Sequence, residues 1–172
     1  SRKVKPQHQE TNRIGPTIKE EVKAEPPSLP LDISPLIVKK DLEQALGIKK
    51  GFLELPLAGQ TPGPQYNHIR LVPRGAGPVL GLTIQVWKDD TIANARRKYR
   101  SFLKSYPGAT ENKSITSRTF FARYAKNLYT GYFALRERTI VVLTCDESVC
   151  DAERLHKVGL ATKRRLPAFS GK

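Results

Sequence analysis

The apolar residues of this chain change period from two to 3.6 and back, and that change restricts the fold more than any single motif. From Val79 to Trp87, Leu80, Leu82, Ile84 and Val86 fall on one side and Thr83, Gln85 and Trp87 on the other, as in a strand. Directly afterwards Ile92, Ala95, Tyr99, Phe102, Leu103 and Tyr106 recur at helical spacing, after a cap at Asp90 or Thr91 and before the stop at Pro107-Gly108. The same switch occurs at both ends. Ser34-Pro35 opens a first helix with the apolar face Leu36, Ile37, Val38, Leu42, Ala45 and Leu46, closed by Gly47. Asp151 caps a last one with the stripe Leu155, Gly159, Thr162 and Leu166, ended by Pro167.

Between these helices lie strand signals. Phe52–Leu55 and Tyr66–Val72 precede Val79–Trp87, while Arg118–Tyr124, Tyr129–Leu135 and Thr139–Cys145 follow the central helix, the last two joined around Arg136-Glu137-Arg138. Gly59 to Pro64, Gly75 to Pro78 and the stretch around Asn112-Lys113-Ser114 read as loops. Hairpin-like links within each group imply antiparallel pairing. The expectation is one α+β domain over 35–172, with a mostly antiparallel sheet of five to six strands and two to three packed helices.

Residues 1–34 read differently. They hold five prolines, no aromatics and mixed charge without a sustained period, which predicts a disordered tether. The chain contains no Met, so it is expected to be a processed or excised product, and no run approaches the length of a membrane span.

Charge is the second constraint. The chain carries 30 Lys+Arg against 16 Asp+Glu, and the tether is nearly neutral, so the excess belongs to the domain. Such a field attracts an acidic protein, an anionic polymer or nucleic acid. Between Arg96 and Arg138 there are eleven bases and two acids, Glu111 and Glu137. Helical spacing puts Arg96, Arg97, Arg100 and Lys104 on one flank of the central helix. Lys157 and Arg164 lie on the outer side of the last helix, and Arg118, Arg123, Lys126, Arg136 and Arg138 on the strands between. These eleven residues are the candidate anion-binding set, with arginine favoured for bidentate contacts. Tyr124, Tyr129 and Tyr132 are interleaved and suited to stacking on bases. A solvated face that only maintains solubility is the plainer reading, and no recognised nucleic-acid motif is present.

Cys145 and Cys150 are separated by four residues, close enough on a turn for a disulfide and for an oxidising compartment; two reduced thiols at the end of a buried strand are the alternative. With His156 they make too few ligands for structural zinc, so no metal and no cofactor is expected. His8, His68 and His156 lack carboxylate partners at catalytic spacing, and Gly75-Ala76-Gly77-Pro78 lacks the lysine and helix of a phosphate loop. An enzyme built on Cys145 and His156 ranks last among the functional readings.

The succession Gly81-Leu-Thr-Ile-Gln-Val-Trp87, Tyr106-Pro-Gly108, Thr119-Phe-Phe-Ala122, and Val141-Val-Leu-Thr-Cys145 through Cys150 resembles the soluble domain of small uncharacterised envelope lipoproteins of myxobacteria and related bacteria, over about residues 40–166. The resemblance implies an exported, lipid-tethered, non-enzymatic domain, and carries over no active-site residues. The chain is more basic than that group leads one to expect. The expectation is therefore an extracytoplasmic interaction module that binds an acidic protein or anionic envelope polymer. A nucleic-acid-binding protein, cytoplasmic in that case, is the alternative.

Overall fold

A computed structural model describes residues 28–124 and 128–170, and in it the chain folds around a single seven-stranded antiparallel sheet. The strands are β1 (Phe52–Leu55), β2 (Tyr66–Pro73), β3 (Leu82–Lys88), β4 (Thr110–Asn112), β5 (Arg118–Tyr124), β6 (Tyr129–Arg136) and β7 (Thr139–Asp146), in the order β1-β2-β3-β7-β6-β5-β4. Four α-helices join them: α1 (Lys39–Leu46), α2 (Ile92–Ser105), α3 (Ala152–Lys163) and α4 (Leu166–Ser170). The class is α+β as expected, but both counts exceed the five to six strands and two to three helices read from periodicity.

The extra strand is β4. Thr-Glu-Asn carries no apolar alternation and is exposed throughout, so nothing in its own residues announces a strand; pairing of Thr110–Asn112 with Thr119–Phe121 makes it one. The extra helices come from breaks. Ser34–Leu36 forms a single 3-10 turn with Pro35 inside it, and the β-branched pair Ile37-Val38 takes extended backbone before α1 starts at Lys39. Gly47 closes α1 as read, at φ 67. Pro167 does not terminate the last helix. α3 has already stopped at Lys163, and Pro167 occupies the first turn of α4, where its missing N–H costs nothing. Leu80 also precedes β3 rather than belonging to it.

Two three- and four-strand meanders meet at the centre of the sheet, where β3 lies antiparallel to β7 with Ile84 opposite Leu143. Between them the chain crosses from β3 to the far edge through α2. Alternation then divides the core in two. Leu82, Ile84, Val86, Val141, Leu143 and Cys145 face one layer, formed by the 3-10 turn, α1, α3 and α4 through Leu36, Leu42, Leu46, Leu155, Val158 and Phe169. Trp87, Phe120, Phe133, Ile140 and Val142 face α2, which covers them with Ala95 and Tyr99 and, half-buried, Phe102, Leu103 and Tyr106. Ile92, expected in this stripe, is 44% exposed because it stands in the first turn, beyond the aromatic bed.

The folded part begins before Ser34. Ile33 is buried in the core, and Leu31 exchanges hydrogen bonds with Gly63 and Asn67. The tether reading for residues 1–27 lies outside the described residues.

Candidate functional site

Side-chain direction on α2 follows from its cap and its buried face. Thr91 Oγ1 accepts the Asn94 N–H at 3.1 Å and sets the first turn. Ala95 and Tyr99 then fix the inward side against Phe120, whose ring meets that of Tyr99 at 5.5 Å. The opposite side carries Arg96, Arg97, Arg100 and Lys104, all exposed and spanning an arc of about 100° on a helix with 3.6 residues per turn. Arg97 donates to Asn94 Oδ1 at 3.1 Å. Arg96, Arg100 and Lys104 have no anionic partner among the described residues. They stand one turn apart along about 12 Å of helix, an unneutralised cationic ridge.

The other candidates do not join this ridge as one surface. Arg118 is the nearest: its guanidinium lies over the Tyr99 ring at 5.6 Å, and its Nε reaches Glu111 Oε1 at 3.1 Å, so its charge is already engaged. Burial, then the Glu111 carboxylate, pushes the Tyr99 phenol up, which keeps it neutral. Arg138 Nη1 donates to the Asp90 carbonyl at 3.5 Å and belongs to the hairpin turn. Arg123, Arg136, Lys157 and Arg164 fall on the far side of the sheet, on the face shared with α3. Arg123 approaches Glu147 at 4.0 Å and Lys157 approaches Glu153 at 3.7 Å. Lys126 lies outside the described residues.

Strand alternation separates the tyrosines: Tyr129 shares the α2-facing side of β6 with Phe133 and Leu135, and Tyr132 takes the other side. Tyr132 packs on the α3 face between Phe121, with ring centroids 5.2 Å apart, and His156, at 5.7 Å. Of the Tyr124 side chain nothing is described. The guanidinium and ammonium groups of the ridge hold anions by charge and hydrogen bonding.

Cys145 and Cys150 form a disulfide that ties the end of β7 to the start of α3, with Cα atoms 6.2 Å apart. Both are buried. Such bonds form and persist in oxidising surroundings. The Cys145 sulfur is therefore not a free thiol, and the His156 ring rests on Tyr132. Next to the bond, burial pulls the Asp146 carboxyl up. Hydrogen bonds from the Ser148 hydroxyl and N–H and the Leu80 N–H outweigh it and hold the group below its usual range.

Among the described residues no group of three or more His, Cys, Asp or Glu side chains could hold a metal ion, and no helix is long and apolar enough to cross a membrane. A feature that residue spacing did not reveal is a groove of about 580 Å³ between α1 and α3. Its signal in the sequence was Leu160, an apolar residue outside the expected stripe and 37% exposed. Compared with protein families, curated proteins and solved structures, the chain matches none.

Proposed function

We propose that this chain is a non-catalytic interaction domain of a bacterial envelope, holding an anionic partner through the ridge Arg96, Arg97, Arg100 and Lys104. One observation carries the reading: all four cations are exposed, aligned on one helix, and without an anion of their own among the described residues. A solvated face would ordinarily intersperse acids among its bases, and α2 contains none. The disulfide supports an extracytoplasmic setting, and the resemblance to envelope lipoproteins suggests lipid tethering. The partner is an acidic protein or an anionic envelope polymer.

The test is binding of the full chain to polyglutamate, to an anionic polysaccharide and to duplex DNA across a salt series. Replacing Arg97, Arg100 and Lys104 with Glu is expected to weaken polyanion binding at least tenfold without unfolding the protein. DNA affinity near 150 mM salt is expected to be weaker than about 10⁻⁴ M, at the feeble end of non-specific binding. Polyanion binding that is undetectable, or indifferent to the triple replacement, refutes the proposal. Tight DNA binding with a steep salt dependence replaces it with a nucleic-acid function.

A further inference from the structure

The groove between α1 and α3 lies on the face of the sheet opposite the α2 ridge, and its lining is helical on both sides. α3 and its C-cap contribute Lys157, Leu160, Ala161 and Arg164, at spacings of three, four and seven, one continuous helical stripe. α1 contributes Asp41, Gln44 and Ala45 with the same three-four rhythm. The two alanines keep the floor shallow, so a third helix can approach closely, and Leu160 offers it an exposed apolar contact.

Charge selects the occupant. The one acid of the lining, Asp41, is already taken: Arg165 reaches its Oδ2 at 2.9 Å through one guanidinium nitrogen and at 3.3 Å through another, locking the end of α3 to α1. Lys157 is only loosely engaged by the exposed Glu153, a pair of the kind that contributes little. Arg164, and Lys163 at the groove's mouth, have no anion among the described residues. An apolar floor with a cationic rim complements a helix whose apolar stripe is flanked by carboxylates.

We propose that the α1–α3 groove is a docking site for an acidic amphipathic helix of a partner protein. The docked helix lies along α3, with its apolar stripe on Ala45, Leu160 and Ala161 and its acids beside Lys157 and Arg164. A single helix held in one groove belongs to the weak, reversible class of contact. It is a second surface, independent of the ridge on α2, from which the whole sheet separates it.

The probe is a synthetic peptide of about 18 residues, long enough for five helical turns, with Leu at helical spacing and Glu on both flanks. Its counterpart carries Lys in place of every Glu. With the full chain at 150 mM salt, the acidic peptide is expected to bind at about 1–100 μM, the range of transient contacts. It should shift backbone amide resonances of α1 and α3, while the basic peptide does neither. Leu160→Glu and Arg164→Glu replace exposed residues, and thermal melts check that each variant stays folded. Each is expected to weaken the acidic peptide at least fivefold, whereas the triple Glu replacement on α2 leaves its affinity within twofold. The proposal fails if the two peptides bind alike, or if neither groove variant changes affinity. It also fails if the acidic peptide shifts α2 and loses affinity with the α2 variant, for then it is only another polyanion on the ridge.

Discussion

Gly81 shows how much one missing side chain decides. It stands at φ 77 just before β3, and a β-carbon there would drive into the carbonyl oxygen of Leu71 on the neighbouring strand. Left-handed backbone and a collision with an unyielding atom act together, so Gly81→Ala is expected to cost more than about 2 kcal/mol in urea unfolding. Gly47, equally left-handed but with open space around it, is expected to cost only about 1 kcal/mol as Ala. Beside Gly81, whose carbonyl accepts its N–H at 3.0 Å, Asp146 makes a pH prediction. Its carboxyl titrates lower in the folded chain than in the unfolded one, so the folded state binds fewer protons between the two values. Its contribution is present in full above the ordinary carboxylate range, near pH 4, and is lost as the pH falls through the depressed value. Asp146→Asn should therefore be less stable than the parent at neutral pH, and the two unfolding curves should converge in acid. A gap that stays constant down to pH 2 would show that the hydrogen bonds to Ser148 and Leu80 do not depend on the charge.

Elements carry the next set of consequences, and α2 is the clearest. Its packing rests on an aromatic bed in which Phe120 and Phe133 stack at 4.4 Å, with Tyr99 meeting Phe120 edge-on at 5.5 Å. Phe120 is fully buried, so Phe120→Ala is expected to cost about 3–5 kcal/mol; Phe102, half-buried at the margin, should cost clearly less. Equal costs, measured by denaturant titration, would mean that the helix is rolled towards Phe102. The sequence made this helix legible because its cap, stripe and stop all agree, and the turn at Glu137-Arg138 was legible for a similar reason. β4 was not, since Thr110–Asn112 owes its conformation to a partner strand and not to its own residues. The break before α1 was hidden because Leu36, Ile37 and Val38 read as one apolar face, although two β-branched residues in succession prefer extended backbone.

At the scale of the whole molecule, the sheet sorts the charge. Eleven candidate bases looked like one surface along the sequence, and the fold deals the ten described ones onto two faces and several private ion pairs. Strand alternation could be read from residues, but the face each helix takes depends on which strands become neighbours, and the β3–β7 pairing is not written locally. The α1–α3 groove was illegible for the same reason: its walls lie more than a hundred residues apart in the chain, and core packing of Leu42 and Leu46 with Leu155 and Val158, with Arg165 on Asp41, brings them together. The disulfide acts at this scale too. By closing a loop of only a few residues it is expected to contribute roughly 2 kcal/mol, little beside what a longer loop would give. Non-reduced protein should be lighter than reduced protein by the two thiol hydrogens and should resist alkylation. Two thiols that alkylate readily in the native state would remove the argument for an oxidising compartment.

The central β3–β7 seam also dictates an order of assembly. Its partners, from Leu82 with Cys145 to Lys88 with Thr139, are separated by about fifty to sixty residues, so the seam must close a long loop before any contact rewards it. Hairpins within each meander can form early and cheaply. Until β7 arrives, however, β3 presents an apolar, unpaired edge to whatever chain is near. A chain that emerges from its N-terminus is exposed in this way until most of its length has appeared. Molecules released with the C-terminal meander missing should therefore associate edge to edge, and the second meander supplied as a separate fragment should compete with that association by filling the same vacant place.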